Sequence, residues 1–402
     1  MFNDIRRGAR RLRARVNRFL YDRRMLDQYV VTQALPRTIC EYDIKWYGEA
    51  EIYNPPKIEN NLKFLGMHNV PMSIMRPYYL SIQNALVSNM NIIDPENPDR
   101  VFIETFPELQ LAKEGRNWYM DFRSRRKIAK ASNKIAVTFD SAFLLSAHHW
   151  DNYYHFVVDT LLRFVGLDEA GALDGDTTLL LSSRPNRWQS EYLDLLEVGR
   201  RPIAHIPELP RPLKVGQLVV AAPRRHRFIC SQQAVESLKA RIFSRLGLVN
   251  ERRRRIYVTR RLAGRRRIVN ESEVVACVRR HGFEVRALEQ MTVREQIQLF
   301  AEAETVVAPH GAGLVNLIYA DRPHVIELLA EDHWSFGYFV TLTNTVGGRH
   351  TPIVAEGARS DARHFGFPSQ DDFTVDVAAL ETALRDAPRE RAAPADAMAT
   401  AV

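Results

Sequence analysis

Cysteine is scarce in this chain: three among 402 residues, at Cys40, Cys230 and Cys277. Three thiols so widely spaced supply neither a disulfide framework nor a zinc site, and they suit a reducing compartment. Long apolar runs are also missing. No stretch reaches the roughly 18 residues that a bilayer-crossing helix needs. The N-terminus has no apolar signal core. Acid is in the minority, since 48 Asp and Glu stand against 56 Lys and Arg and leave a formal charge of +8. That balance favours anionic partners: nucleic acid, anionic lipid or a nucleotide. The arginines cluster at loops and at the N-terminus without interleaved aromatics, which counts against nucleic acid.

What is present is an ordinary globular composition, 46% hydrophobic and 26% charged, in a chain long enough for two cores. Four regions are expected: a basic N-terminal segment 1–30, an N-terminal domain 31–222, a C-terminal domain 223–385, and a disordered Ala-rich tail 386–402. In residues 1–30, arginines alternate with apolar residues near helical spacing. Both a solvated helix and a peripheral contact with anionic membrane fit that pattern. Residues 31–135 read as irregular.

The most legible stretch runs from Ile256 to Leu329. Short β-branched runs at Ile256–Val258, Phe283–Val285, Thr305–Ala308 and Val325–Leu329 alternate with amphipathic segments. The capping patterns Asn270-Glu271-Ser272-Glu273 and Thr292-Val293-Arg294-Glu295 open two of those helices. The same alternation appears earlier, in strands at Ala142–Leu145, Thr178–Leu181 and Leu218–Ala221 and a helix from Asn152 to Val165. Strands alternating with helices imply βαβ units and parallel sheets, whose ligands lie at the carboxyl ends of the strands. The fold class is therefore α/β, with two Rossmann-like domains.

Three features fall at such strand ends and point to an anionic, nucleotide-like ligand. One is the turn His310-Gly311-Ala312-Gly313, where helix amides attract a diphosphate. It departs from the dinucleotide fingerprint, because Asn316 stands where a third glycine belongs. Arg260, Arg261 and Arg267 are candidate phosphate clamps. Glu327 is placed to accept from both ribose hydroxyls. In the other domain, Asp151, His155 and Asp159 form an i, i+4, i+8 row, and His155 with Asp159 is the best candidate for a catalytic acid–base pair. Asp174-Gly175-Asp176 has the form of a metal-binding motif but reads as a plain turn.

An ordered set of motifs carries a family resemblance. Tyr257-Val258-Thr259-Arg260-Arg261, Arg267-Ile268-Val269-Asn270-Glu271, Gly282-Phe283-Glu284-Val285, Glu295-Gln296, His310-Gly311-Ala312-Gly313-Leu314-Val315-Asn316 and Ile326-Glu327-Leu328 resemble the donor half of glycosyltransferase family 61. Asn152-Tyr153-Tyr154-His155-Phe156 with Asp159 is similar to that family's acceptor-side helix. The resemblance covers about residues 140–330. It implies two Rossmann-like domains facing a cleft, the GT-B arrangement. It implies inverting, metal-independent transfer from a UDP-sugar to a glycan or lipid-linked glycan acceptor, in surface polysaccharide synthesis by a cytoplasmic, bacterial-type enzyme. Asp159 is then the expected base with His155 beside it. Asn152, Tyr154, Arg260, Arg261, Arg267, Asn270, Glu271, His310, Gly311, Ala312, Gly313, Asn316 and Glu327 are the expected substrate-binding set. Two alternatives stay open: an NAD(P)-dependent oxidoreductase, and a non-enzymatic nucleic-acid binder.

Overall fold

The computed structural model describes residues 43–55, 71–74, 76–88, 91–95, 98, 122–147, 149–209, 212–226, 228–330, 337–355 and 372–387. The basic segment 1–30 and the tail beyond residue 387 lie outside the described residues. The chain divides into two compact units. The first draws its described residues from Met1–Ile52, Ser73–Arg227 and Gln233–Leu238; the second draws them from Tyr53–Met72, Phe228–Gln232 and Lys239–Val402.

The first unit is built on a seven-stranded mixed sheet. Its strands are β1 (Asp43–Trp46), β2 (Tyr78–Ser88), β3 (Asn91–Ile93), β4 (Thr138–Leu144), β5 (Thr178–Leu181), β6 (Ile203–His205) and β7 (Leu213–Ala221). The order is β1-β2-β7-β4-β5-β6, with β3 also on β2. Strands β7, β4, β5 and β6 run parallel. β2 pairs antiparallel with β1, β3 and β7. The expected doubly wound sheet is thus present in its parallel half only, and an antiparallel half is added to its edge. Leu80, Ile82, Ala142, Leu180, Val215, Leu218 and Val220 fill one core of this sheet. Each of the Val, Leu and Ile side chains contributes about 1.5–3 kcal/mol by leaving water.

Three longer helical elements among the described residues belong wholly to this unit. Helix α1 is Phe122–Lys130. The run α2 comprises Tyr153–His155, a π turn over Phe156–Leu161, and Leu162–Glu169. Helix α3 is Arg187–Leu195, and Asn186 and Gln189 form a reciprocal capping box at its start. Helix α4, Gln232–Leu246, contributes residues to both units.

The second unit holds a five-stranded sheet that is parallel throughout. Its strands are β8 (Arg254–Val258), β9 (Glu284–Arg286), β10 (Ala303–Pro309), β11 (His324–Ala330) and β12 (Arg349–Ala355), in the order β9-β8-β10-β11-β12. Every residue of β10 and β11 is buried, as strands covered on both faces must be. Helices α5 (Glu271–Arg280), α6 (Val293–Ala301), α7 (Tyr338–Thr345) and α8 (Val377–Arg385) and a 3₁₀ segment, Ala312–Tyr319, complete it.

Helix α5 ends as its sequence predicts. Gly282 takes φ 78°, and the Phe283 amide donates to the Val278 carbonyl at 3.0 Å. Helix α6 starts with the expected box, Thr292 and Glu295 each bonding the other's amide. The start of α5 differs from expectation, because the Asn270 side chain makes no cap. It turns instead to the backbone of Val375, donating and accepting at 3.0 Å. Asp174-Gly175-Asp176 is the turn expected, with the Thr177 amide donating to the Asp174 carbonyl at 3.0 Å. Among the described residues no helix is long and apolar enough to cross a membrane, and no cluster of metal-ligating side chains occurs.

Candidate functional site

Two side-chain constellations stand out, one in each unit. The first is organised by the π turn of α2. Asn152 caps the run, its Oδ1 accepting from the amides of Tyr154 at 3.0 Å and His155 at 3.3 Å. That bond satisfies helix-start donors and fixes the first turn from which His155 projects. Four residues later the π turn carries Asp159, and Leu162 donates its amide to the carbonyl of Val157, five residues back. One extra residue in a turn shifts every later side chain around the axis, and such turns concentrate at functional sites.

The shift removes the two-faced helix that a 100° period predicts. Asp159 is 3% exposed and Arg163 4%, so the supposed polar face is buried along with the apolar one. His155 Nδ1 lies 2.7 Å from Asp159 Oδ2. Arg225, just beyond β7, sets its Nε 2.6 Å from Asp159 Oδ1 and its Nη2 3.4 Å from Oδ2. Arg163 Nε donates to the Asp159 main-chain carbonyl. Burial alone would raise the Asp159 pKa, but Arg225 and His155 outweigh it and hold the carboxyl well below the usual carboxylate range.

An ionised Asp159 can only accept, so the bonded Nδ1 of His155 must carry the hydrogen. In a neutral ring the lone pair is then on Nε2. His149 lies tilted against the His155 ring at 4.9 Å between centroids, and Tyr154 is buried edge-on to it at 5.4 Å. Asp151 is exposed and outside this cluster.

The second constellation gathers where β8 and β10 end. His310 and Gly311 follow β10 and lead into the 3₁₀ segment. Gly311 is extended, with φ −180°, so its backbone does not require glycine; the absence of a side chain leaves room for Arg260. A Cβ there would lie 2.2 Å from Nη1 of Arg260. The guanidinium therefore rests against the turn. Arg260 also donates from Nη2 to the Arg265 carbonyl at 3.3 Å. The Nε atoms of Arg260 and Arg266 are buried without an acceptor among the described residues. Burial lowers the pKa of both, with Glu289 partly offsetting it for Arg260, while Arg260 and Arg265 help push Arg266 down to about 10. Half-buried guanidiniums that repel one another and keep unmatched donors would be stabilised by an anion beside them.

The other expected residues have different work. Arg261 is exposed. Arg267, expected as a phosphate clamp, is paired with Asp372 through Nε at 3.0 Å and Nη2 at 2.8 Å. Glu271 accepts from the Tyr257 hydroxyl at 3.0 Å and the Thr259 hydroxyl at 2.5 Å, joining α5 to β8. Asn316 is fully buried and donates to Gln296 at 2.9 Å and to the Gly313 carbonyl at 3.1 Å. It braces the turn from beneath.

Glu327 lies in the middle of β11 rather than at its end, and it is 2% exposed. Its Oε1 meets His310 Nδ1 at 2.6 Å and its Oε2 meets His350 Nε2 at 2.8 Å. Both oxygens are engaged by imidazoles, and the carboxylate holds His310 in place. Burial would raise its pKa, but the two imidazoles hold it down to about 2. Arg225, Arg266 and His350 were not singled out from the sequence. The partners of Arg225 and His350 are far along the chain, 66 residues for Arg225 to Asp159 and 23 for His350 to Glu327.

Residues 153–326 match the family model described as glycosyltransferase 61, and the family resemblance read from the sequence holds over that span. The span runs from the first unit into the second and includes His155, Asp159, Arg225, Arg260, Arg266 and Gly311. A search of curated proteins finds no match.

Proposed function

We propose, with that family as the premise, that this chain is an inverting glycosyltransferase that moves a sugar from a UDP-sugar to a hydroxyl of a glycan or lipid-linked glycan acceptor. The first unit supplies the base and the acceptor site and the second the donor site, the division of labour of GT-B enzymes. Surface polysaccharide synthesis at the cytoplasmic side of a bacterial membrane is the setting this reading implies.

The observation that carries the proposal is the buried Asp159 held between His155 Nδ1 and Arg225. A single-displacement transfer needs a group that takes the acceptor hydroxyl proton as the oxygen attacks the anomeric carbon. An ion-paired carboxylate with a strongly depressed pKa is a poor proton acceptor. The base role therefore passes from Asp159 to His155, and Asp159 becomes the residue that orients it. The acceptor proton goes to Nε2, the acceptor oxygen bonds to the anomeric carbon, and the sugar–phosphate bond breaks with its electron pair left on the diphosphate. Arg260 and Arg266 with the Gly311 turn are assigned to that diphosphate, whose charge they neutralise without a divalent ion.

A thermal-shift panel of UDP-, GDP- and CMP-sugars, NAD and NADP, with and without EDTA, tests the donor assignment. Stabilisation by a uridine nucleotide that survives EDTA is expected. At one hundred times its dissociation constant a ligand adds about 2.7 kcal/mol. Stabilisation by NAD alone would replace this reading with an oxidoreductase. For the base, His155→Asn is expected to keep UDP binding and to lose transfer by about 100-fold or more. Retained transfer in that variant assigns the base elsewhere.

A further inference from the structure

A carboxylate in an apolar environment takes up a proton unless positive charge is brought to it. Asp159 sits on a turn whose neighbours Phe156, Val157, Val158 and Leu161 are all buried. The charge comes from a different part of the chain. The Arg225 side chain, 1% exposed, reaches both carboxylate oxygens with its guanidinium fork. Arg163, on the same helical run, spends its Nε on the main-chain carbonyl of Asp159. His149, from the loop before the run, faces the pair from the His155 side, and Tyr47 acts on Arg163 from β1's end of the unit. Arg225 is therefore the cation in hydrogen-bond contact with the carboxylate itself.

We propose that Arg225 is the positioning residue that sets the tautomer of His155, keeping the hydrogen on Nδ1 and the lone pair on Nε2. The proposal rests on the reading of His155 as the base. With Arg225 present, Asp159 stays ionised and can only accept, so Nδ1 must donate. Without it, burial drives one proton from solvent onto Asp159. The neutral acid then donates to Nδ1, and the ring hydrogen moves to Nε2. That nitrogen can no longer receive the acceptor's proton. Both members of the dyad would remain in place, yet the chemistry would stop.

Nitrogen NMR of the full chain labelled with ¹⁵N-histidine reads the tautomer directly, with His155→Asn used to assign the signal. The wild-type protein, free of substrate, is expected to show hydrogen on Nδ1 of His155. Arg225→Met is expected to move it to Nε2, and Arg225→Lys, which keeps a point charge, to restore Nδ1 in most molecules. In transfer assays Arg225→Met is expected to lose about 100-fold or more in kcat/KM near neutrality. Much of that loss should return as rising pH ionises Asp159, and Arg225→Lys should lose less.

Hydrogen on Nε2 in the wild-type protein overturns the proposal, and so does an Arg225→Met variant that keeps Nδ1–H or loses activity equally at every pH. If Arg225→Met does not fold, the wild-type and Arg225→Lys spectra decide. If the tautomers behave as expected while no sugar nucleotide is ever consumed, the glycosyl-transfer reading fails and the role of Arg225 stands.

Discussion

Gly311 shows how a single residue can be demanded by a neighbour rather than by its own backbone. Its φ is ordinary for any amino acid, and the contact that excludes a side chain is the end of the Arg260 guanidinium. That end is flexible, so Gly311→Ala is expected to displace Arg260 at little cost to folding. UDP affinity should fall while the melting temperature stays nearly unchanged. The loss should be non-additive with Arg260→Ala, because each substitution removes the same contact. Additive losses in a double-mutant cycle would show that Gly311 acts through its backbone on the ligand and not through Arg260. The sequence had marked both residues as a site, but for separate reasons: glycine for a diphosphate, arginine for a phosphate. That one makes room for the other is visible only in three dimensions.

At the scale of elements, the arginine loop is held by a strap from near the C-terminus. The Phe373 amide donates to the Arg267 carbonyl at 3.0 Å, the Val269 amide donates to the Phe373 carbonyl at 2.8 Å, and Asn270 brackets Val375 from both sides. Phe373 itself is 4% exposed and packs with Ile268, Val274 and Leu380 in the core of the second unit. Phe373→Ala is expected to cost about 3–5 kcal/mol of stability and to weaken UDP binding, because the loop carrying Arg260, Arg265 and Arg266 loses its backing. Asp372→Ala removes an ion pair with the exposed Arg267 guanidinium and one hydrogen bond from the Arg267 amide, and calorimetry should show a loss of about 1 kcal/mol, well below that of Phe373→Ala. A large effect of Asp372→Ala with a small one of Phe373→Ala would mean that the strap holds by charge rather than by packing.

The strap also shows where sequence reasoning stops. Local signals suffice where no distant segment competes: Thr178–Leu181 is a strand at the residues expected, and the Thr292–Glu295 box opens its helix. Asn270 has the same local signal as Thr292, yet its side chain is taken by a chain segment 105 residues away. The eleven-residue strand Tyr78–Ser88 falls in the stretch whose sequence reads as irregular. It carries Gln83 and Asn84 at its middle, and Asn84 takes φ 54°.

For the whole molecule, three buried groups that titrate on the acid side, His324, Asp159 and Glu327, lean the same way with pH. His324, 4% exposed, has its Nε2 2.9 Å from the Thr351 hydroxyl. Its Nδ1 is buried without a partner among the described residues. Protonating the ring would leave an added N–H unmatched. Burial pushes its pKa down from 6.5 to about 4, and Arg349, His350 and Arg255 add to the effect. Asp159 and Glu327 are also held below their ordinary values. In each case the unfolded chain binds protons at a higher pH than the folded one, so stability falls as pH falls. The windows differ. His324 acts between about pH 6.5 and 4, whereas the two carboxyls act below their ordinary values of 3.8 and 4.5. Urea unfolding across this range is expected to show a plateau near neutrality and a first decline of a few kcal/mol that completes by about pH 4, before a second in stronger acid. His324→Gln, which cannot gain the charge, should flatten the first decline and leave the second. If the slope between pH 6.5 and 4 is the same in wild type and His324→Gln, the buried imidazole is not its source.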